Sequence, residues 1–190
     1  TPLYSSAASD VYKRQHVLHL TTEREIELFE AKPTKDKKIT TEACIHHLIF
    51  TSDDYEEWGN FIKCNPSIKA PNNREALRQA LKNNQIDIIA TDHAPHTRDE
   101  KSLPYSEAPA GIPLIQHSFQ LMLELANKAI FTIEEVIKFA SHNTADRFKI
   151  VDRGYVREGY FADLVVFETG IKHTVTNEEQ KSKCCLLYTS

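Results

Sequence analysis

A short apolar run that leads into an acidic, histidine-rich turn constrains the fold more than any other stretch. Ile86–Ala90 is apolar but for one residue, and the turn after it carries Asp92, His93 and His96. A run of this length, ended by polar residues and proline, predicts a buried β-strand. Residues just past a parallel strand face the ligand crevice of α/β proteins, so these side chains are candidates for metal binding or proton transfer. Taken by itself, the stretch is equally compatible with a helix cap and surface histidines.

Strands and helices alternate before that turn. The apolar spacing predicts, in order, a strand at His16–Leu20, a helix at Glu23–Ala31, a strand at Ile39–Phe50, a short helix opened by Thr51–Asp54, a helix at Asn73–Leu81 and the strand Ile86–Ala90. Such alternation favours a parallel sheet with helices outside, either a (β/α) barrel or an open doubly wound sheet. Because three strands cannot close a barrel, we expect the chain to be part of a longer protein.

After the turn, the pattern changes. Residues 97–111 are charged and proline-rich, as in an active-site loop or a plain exposed connector. The further predictions are a helix at Leu114–Ile130, a second helix started by the capping box Thr132–Glu135, a short helix around Ala145–Phe148 and a strand at Leu164–Phe167 in a small appended β element.

Composition excludes several classes of function. The net charge of -4 gives no general attraction to nucleic acid or anionic membranes. No apolar run approaches the roughly 20 residues that span a bilayer, and no leader opens the chain, so a cytoplasmic location is expected. The four cysteines lack a Cys-x-x-Cys pattern, and Cys44 and Cys64 are predicted to be small buried residues.

The two ends differ from the middle. Residues 5–15 and 185–190 resemble translated sequencing-library adaptors, so we expect segments 1–15 and 184–190 to be non-native. The remaining chain then divides into a barrel part, 16–150, and a carboxyl-terminal β segment, 151–183.

Histidine, asparagine and aspartate recur at the predicted strand ends. They are His19, His46 or His47, Asn65, and Asp92 with His96. Neutral imidazoles and a carboxylate are the ligands that zinc prefers in catalytic sites, and an aspartate near the metal can accept a proton from water. One histidine at a strand end is more often structural than a ligand, but several at successive strand ends favour a metal site.

Six segments together resemble the carboxyl-terminal half of the dihydroorotase family of the amidohydrolase superfamily. They are 18–22 (LHLTT), 46–48 (HHL), 64–66 (CNP), 90–96 (ATDHAPH), 108–113 (APAGIP) and 157–164 (REGYFADL). The segment around Asp92 is the most specific, whereas 157–164 is shared across the superfamily. The resemblance runs from about His16 to the region of Val175.

The resemblance implies an α/β fold, namely about strands six to eight of a (β/α)8 TIM barrel plus part of the appended β element. It implies a hydrolase that interconverts L-dihydroorotate and N-carbamoyl-L-aspartate in pyrimidine biosynthesis, with one or two Zn2+ ions. By the same resemblance, His19 would be a zinc ligand and Asp92 a zinc ligand and general base. Asn65 and His96, with backbone groups near Ala110 and Gly111, would bind substrate.

The resemblance also leaves gaps and alternatives. It assigns no metal role to His46 or His47, which are expected to support the site structurally. Further family ligands and a substrate arginine are expected upstream, so the chain by itself is predicted to be inactive. The alternatives are an allantoinase or dihydropyrimidinase-like hydrolase and a non-catalytic scaffold. The expected partners are the small-molecule substrate and either a second copy of the chain in a homodimer or other pyrimidine-pathway enzymes in an assembly. Neither nucleic acid nor a membrane is expected as a partner.

Overall fold

Three parallel strands form the centre of the fold. The computed structural model describes residues 14–171, 175–176 and 179–182. The strands are β1 (Gln15–Val17), β2 (Ile39–Cys44) and β3 (Ile88–Ala90), and they lie in the order β1-β2-β3. His16 pairs with Thr40, and Ala43 pairs with Ile89. This parallel, alternating α/β arrangement is the partial barrel that the sequence predicts.

The helices connect and cover these strands. They are α1 (Glu23–Ile26), α2 (Ile45–Ile49), α3 (Tyr55–Trp58), α4 (Pro71–Lys82), α5 (Arg98–Lys101), α6 (Ser118–Asn127), α7 (Ile133–Ile137) and α8 (Asn143–Phe148), with a π-helical turn at Lys138–His142. Helix α4 packs against α1 and α2. In the part of the chain that the structure describes, no helix combines the length and the apolarity needed to cross a membrane.

Burial is greatest around β2, which has a neighbour on each side. Its Thr40, Thr41, Ala43 and Cys44 are fully buried. The surrounding apolar core includes Leu48, Ile62, Leu77, Leu81, Ile86, Ile89, Leu114, Val136 and Phe139. A central strand of a parallel sheet is covered on both faces, which is why this strand tolerates no exposed position near its carboxyl end.

Asp87, the one polar residue of the third apolar run, is also buried. Its carboxylate accepts hydrogen bonds from the Thr34 hydroxyl at 2.8 Å and the Thr41 amide at 3.0 Å, and pairs with the Lys37 ammonium at 2.9 Å. A buried charge is tolerated only when it is paired and hydrogen-bonded in this way. The group lies before β3 and therefore at the end of the sheet away from Asp92.

Several element boundaries differ from the predictions. The predicted strand Ile39–Phe50 was wrong in its second half, because the chain turns into helix α2 after Cys44. An apolar run buried on all sides has no periodicity that would separate strand from helix. The predicted helices Glu23–Ala31 and Leu114–Ile130 are shorter, ending at Ile26 and beginning at Ser118 respectively. The capping box at Thr132 is confirmed.

The predicted strand Leu164–Phe167 is wrong for the described chain, in which these residues form no ladder. Val165 and Val166 are 73% and 97% exposed. A strand requires a paired strand for its backbone groups, and the described residues supply no such pairing there. The division into 16–150 and 151–183 stays a prediction. Of the adaptor-like ends, 1–13 and 184–190 lie outside the described residues, whereas Gln15 begins β1.

Candidate metal and substrate site

Two candidate metal ligands follow the edge strands at the same distance. His19 lies two residues after β1, and Asp92 lies two residues after β3. Both have left-handed backbone conformations, with φ of 40° for His19 and 44° for Asp92. Such conformations are uncommon outside glycine and concentrate at functional sites, where they aim a side chain that a regular turn would point elsewhere. The parallel strands therefore deliver both side chains to one end of the sheet.

The central strand delivers a third group, the buried pair His46 and His47 at the start of α2. Among the residues that the structure describes, neither ring nitrogen of His46 has a hydrogen-bond partner, and Nδ1 of His47 has none either. One donor atom from each of Cys44, His46 and His47 lies within 4.8 Å of the others. A fully buried imidazole with two unpartnered nitrogens is costly unless another group binds it. The cluster therefore has the nitrogen and sulfur donors that bind metal ions, and its imidazole lone pairs accept no hydrogen bond from the described residues.

The protonation of this pair also suits metal binding. The His47 Nε2–H donates to the Pro66 carbonyl at 2.9 Å, which leaves the lone pair on Nδ1. Burial lowers the pKa of His47 to about 4 and holds the pKa of His46 well below its ordinary value. Both rings are consequently neutral near pH 7, the form in which imidazole binds metals.

Charge effects join the edge-strand residues to this pair. Burial, followed by the negative charge of Asp92, raises the pKa of the Cys64 thiol to about 12. Burial also raises the pKa of Cys44, to which Asp92 contributes. His19 contributes to the lowered pKa values of both His46 and His47. His19 thus lies within electrostatic range of the histidine pair, and Asp92 lies within range of Cys44 and Cys64.

The predicted substrate residues border the same end. Asn65 is exposed and follows the buried Cys64, whose Sγ lies 4.0 Å from the His47 Nε2. The His96 Nε2–H donates to the Ala110 carbonyl at 3.1 Å. The Gly111 amide donates to the Lys63 carbonyl at 2.8 Å, two residues before Asn65. The loop at 97–111 therefore closes onto the Asn65 segment.

The structure thus brings all the predicted site residues to one end of the sheet, although their roles stay predictions. The sequence interpretation gives His46 a structural role, and its unpartnered nitrogens in the described part of the chain make it a further candidate ligand. Its position after a strand was visible, but its orphaned nitrogens were not. His93 differs again, because its Nδ1 accepts a hydrogen bond from the Ile115 amide at 3.2 Å. This nitrogen therefore fastens the downstream segment and is not available to a ligand.

Known proteins resemble this chain in sequence. It is 33% identical over 171 residues to a dihydroorotase from Clostridium acetobutylicum, an alignment that covers 90% of this chain and 40% of the relative. It is 35% identical over 154 residues to a dihydroorotase from Bacillus cytotoxicus, which covers 80% of this chain and 36% of the relative. The chain therefore spans about 40% of the length of these curated relatives or slightly less.

Solved structures share the fold. The L-hydantoinase (dihydropyrimidinase) from Arthrobacter aurescens superposes with a TM-score of 0.78 at 24% identity, over 85% of this chain and 37% of that one. The dihydroorotase in complex with 5-fluoroorotic acid from Saccharomyces cerevisiae gives 0.67 at 22% identity, over 78% of this chain and 42% of that one. The model of the amidohydrolase family matches residues 6–187. The chain therefore belongs to the amidohydrolase family.

Proposed function

We propose that this chain carries part of the active site of a metal-dependent dihydroorotase, which interconverts L-dihydroorotate and N-carbamoyl-L-aspartate. The observation that carries the proposal is His46, a fully buried imidazole whose two nitrogens have no partner within residues 14–171, 175–176 and 179–182. His19 lies close enough to contribute to its lowered pKa. The curated relatives described above, which are named dihydroorotases, supply the substrate class. The proposed reaction would be a step of pyrimidine biosynthesis.

The residues present fit a zinc ion. His19, His46 and Asp92 would hold it, since two imidazoles and a carboxylate are a ligand set of catalytic zinc sites. Cys44 and His47 each place one donor atom within 4.8 Å of one of His46 and are further candidate ligands. When bound, the metal supplies Lewis-acid polarisation of the amide carbonyl and favours ionisation of water near neutral pH.

Asp92 would move the proton. Its exposed carboxylate follows β3 in a left-handed conformation, at the end of the sheet where substrate would bind. It would accept a proton from the water that attacks the ring carbonyl and return that proton to the ring nitrogen as the carbon–nitrogen bond breaks. The reverse sequence closes N-carbamoyl-L-aspartate into the ring.

Substrate would be held by the segments on either side of this carboxylate. Asn65 offers an amide to the ring. The His96 ring lies against the backbone of Ala110 and Gly111 and donates a hydrogen bond to the Ala110 carbonyl. Hydrogen-bonding groups of this kind select the substrate, because a ring that lacks the matching groups would leave them without partners.

The metal proposal is tested on the 190-residue chain by calorimetric titration with Zn2+. We expect binding that His46→Ala weakens by at least about tenfold, because a ligand is lost. The matched control is His142→Ala, which removes a half-buried histidine that is stacked on Tyr155 and lies outside the cluster of Cys44, His46 and His47. Equal affinity of His46→Ala and the unmutated chain would contradict the assignment.

The reaction is tested in a hybrid in which this chain replaces the segment that it matches in the Clostridium acetobutylicum relative. We expect ring opening of dihydroorotate, followed by the loss of its ultraviolet absorbance, and a decrease of about 10³-fold with Asp92→Ala. Asp53→Ala, at an exposed aspartate after α2, is the control. A loss below about tenfold would contradict the role of Asp92, and turnover of allantoin or dihydrouracil in preference to dihydroorotate would contradict the substrate.

A further inference from the structure

A buried lysine fastens the loop that borders the candidate substrate site. Lys101, the last residue of α5, is 2% exposed. Its ammonium donates to the carbonyls of Lys63 at 2.9 Å, Pro109 at 3.0 Å and Gly111 at 3.0 Å. A lysine ammonium has three N–H donors and no acceptor, so three carbonyls match its hydrogen-bonding capacity. The side chain is therefore held as a cation inside a cage of backbone oxygens.

The three carbonyls belong to the segments that carry the proposed substrate groups. Lys63 precedes Asn65 by two residues, while Pro109 and Gly111 flank Ala110 on both sides. The Ala110 carbonyl in turn accepts the hydrogen bond from His96. One charge thus fixes the spacing between the Asn65 segment, the Ala110 backbone and the His96 ring.

A second lysine reinforces the closure from the opposite direction. The Lys63 ammonium donates to the carbonyls of Tyr105 at 2.6 Å and Ala108 at 2.5 Å, and lies 4.3 Å from the centre of the Tyr105 ring. This side chain is only half-buried, unlike that of Lys101. The middle of the loop is therefore held near the surface, and its returning end is held in the interior.

The burial of Lys101 makes its charge difficult to replace. An ammonium removed from water must recover its lost solvation from nearby dipoles, and carbonyl oxygens within 3.0 Å provide it. Without the ammonium, three carbonyl oxygens in the same interior space lose a donor. A neutral side chain of similar length would fill the volume but would remove these three hydrogen bonds from the loop and the Lys63 segment.

We propose that Lys101 is a positioning residue: its ammonium holds the loop at 97–111 against the Asn65 segment and so sets the affinity of the site for substrate. The statement about substrate rests on the proposed function, whereas the statement about the loop does not. Lys101 acts through the carbonyls that it binds and not by contact with reacting atoms. Its loss is expected to raise KM more than it lowers kcat.

The loop is tested first, by hydrogen exchange of the 190-residue chain followed by mass spectrometry. In Lys101→Met, peptides that contain Gly111, whose amide bonds the Lys63 carbonyl, should exchange at least about tenfold faster. Lys128→Met is the matched control, because its ammonium is exposed on α6 and pairs with Glu124. Unchanged exchange at Gly111 in Lys101→Met would overturn the proposal.

If Lys101→Met does not fold, Lys101→Arg answers the same question. Arginine keeps the charge but presents its donors in a planar fork that cannot reproduce three converging bonds. Faster exchange confined to residues 97–111 would support the proposal, whereas faster exchange spread evenly over the chain would assign a general stabilising role and overturn it.

The substrate arm uses the hybrid described above. We expect Lys101→Arg to raise KM for dihydroorotate at least about fivefold while kcat changes less, and we expect no such change for Lys128→Met. An unchanged KM would overturn the positioning role. A hybrid that takes up zinc but hydrolyses no dihydroorotate would refute the proposed function, while the exchange result would still decide the fastening of the loop.

Discussion

At the scale of single residues, the buried histidine pair makes stability depend on pH. The pKa of His47 in the folded chain is about 4, below the ordinary 6.5, because burial disfavours the charged ring. A lowered folded pKa means that the unfolded chain binds more protons between these values, so stability falls as pH falls through this window. For His47 this amounts to about 3 kcal/mol between pH 7 and pH 4, and His46 acts in the same direction.

The measurement is urea unfolding of the metal-free chain, in a chelator, at several pH values between 7 and 4. His47→Gln keeps an N–H that can reach the Pro66 carbonyl but does not titrate, so its unfolding free energy should depend less steeply on pH. His142→Gln, a substitution of the same chemistry at a half-buried ring, is the comparison. The same pH slope in His47→Gln and the unmutated chain would refute the prediction.

The residue scale also separates what the sequence could predict from what it could not. His19 and Asp92 could be placed because short strands end just before them, and parallel strands end on one side. The candidate ligand role of His46 could not be predicted, because it depends on which ring nitrogens lack partners in the described chain after it turns into α2. The ion pair of Asp87 with Lys37 could not be predicted either, because the two residues lie far apart in the chain.

At the scale of elements, the conformation of the loop that borders the candidate site depends on one glycine. Gly111 has φ of 146°, and a Cβ there would lie 2.6 Å from both the Cβ and the carbonyl oxygen of Ala94 and 3.0 Å from Cδ2 of His96. Because these atoms include backbone, the loop would have to move. We expect Gly111→Ala to destabilise the chain by about 2–4 kcal/mol, measured by urea unfolding.

Gly159→Ala separates the clash from backbone strain. Gly159 also has a positive φ, 82°, but apart from its chain neighbours no atom of the described residues lies within 4 Å of a Cβ built there. Its cost should therefore be limited to strain, about 1 kcal/mol. Equal destabilisation by the two substitutions would show that the contact with Ala94 contributes nothing.

Element types were more predictable than their ends. Each of the three strands was expected, and the capping box at Thr132 is formed, with its hydroxyl accepting from the Glu135 amide at 3.2 Å. The helix after Cys44 was not expected, since continuous burial removes the alternation that distinguishes a strand. The loop at 97–111 was recognisable by composition, but the lysine that fastens it was not.

At the scale of the whole molecule, apolar surface is concentrated at 161–167. In addition to the exposed valines, Phe161 and Leu164 are 57% and 59% exposed. A strand was predicted here from the run of apolar residues, but only the structure reveals whether another element covers them. An extended apolar segment without a paired strand in the described chain favours association between molecules.

We therefore expect the chain to self-associate at micromolar to millimolar concentration and the double variant Val165→Lys/Val166→Lys to suppress this. The measurement is light scattering during size-exclusion chromatography over a concentration series. Gln120→Lys/Asn127→Lys, at exposed positions of α6, adds the same charge without removing apolar surface. Suppression by both variants would assign the effect to net charge, and an unmutated chain that stays monomeric throughout the series would refute the prediction. Because Val165 and Val166 are so exposed, the variant should unfold at the same urea concentration as the unmutated chain.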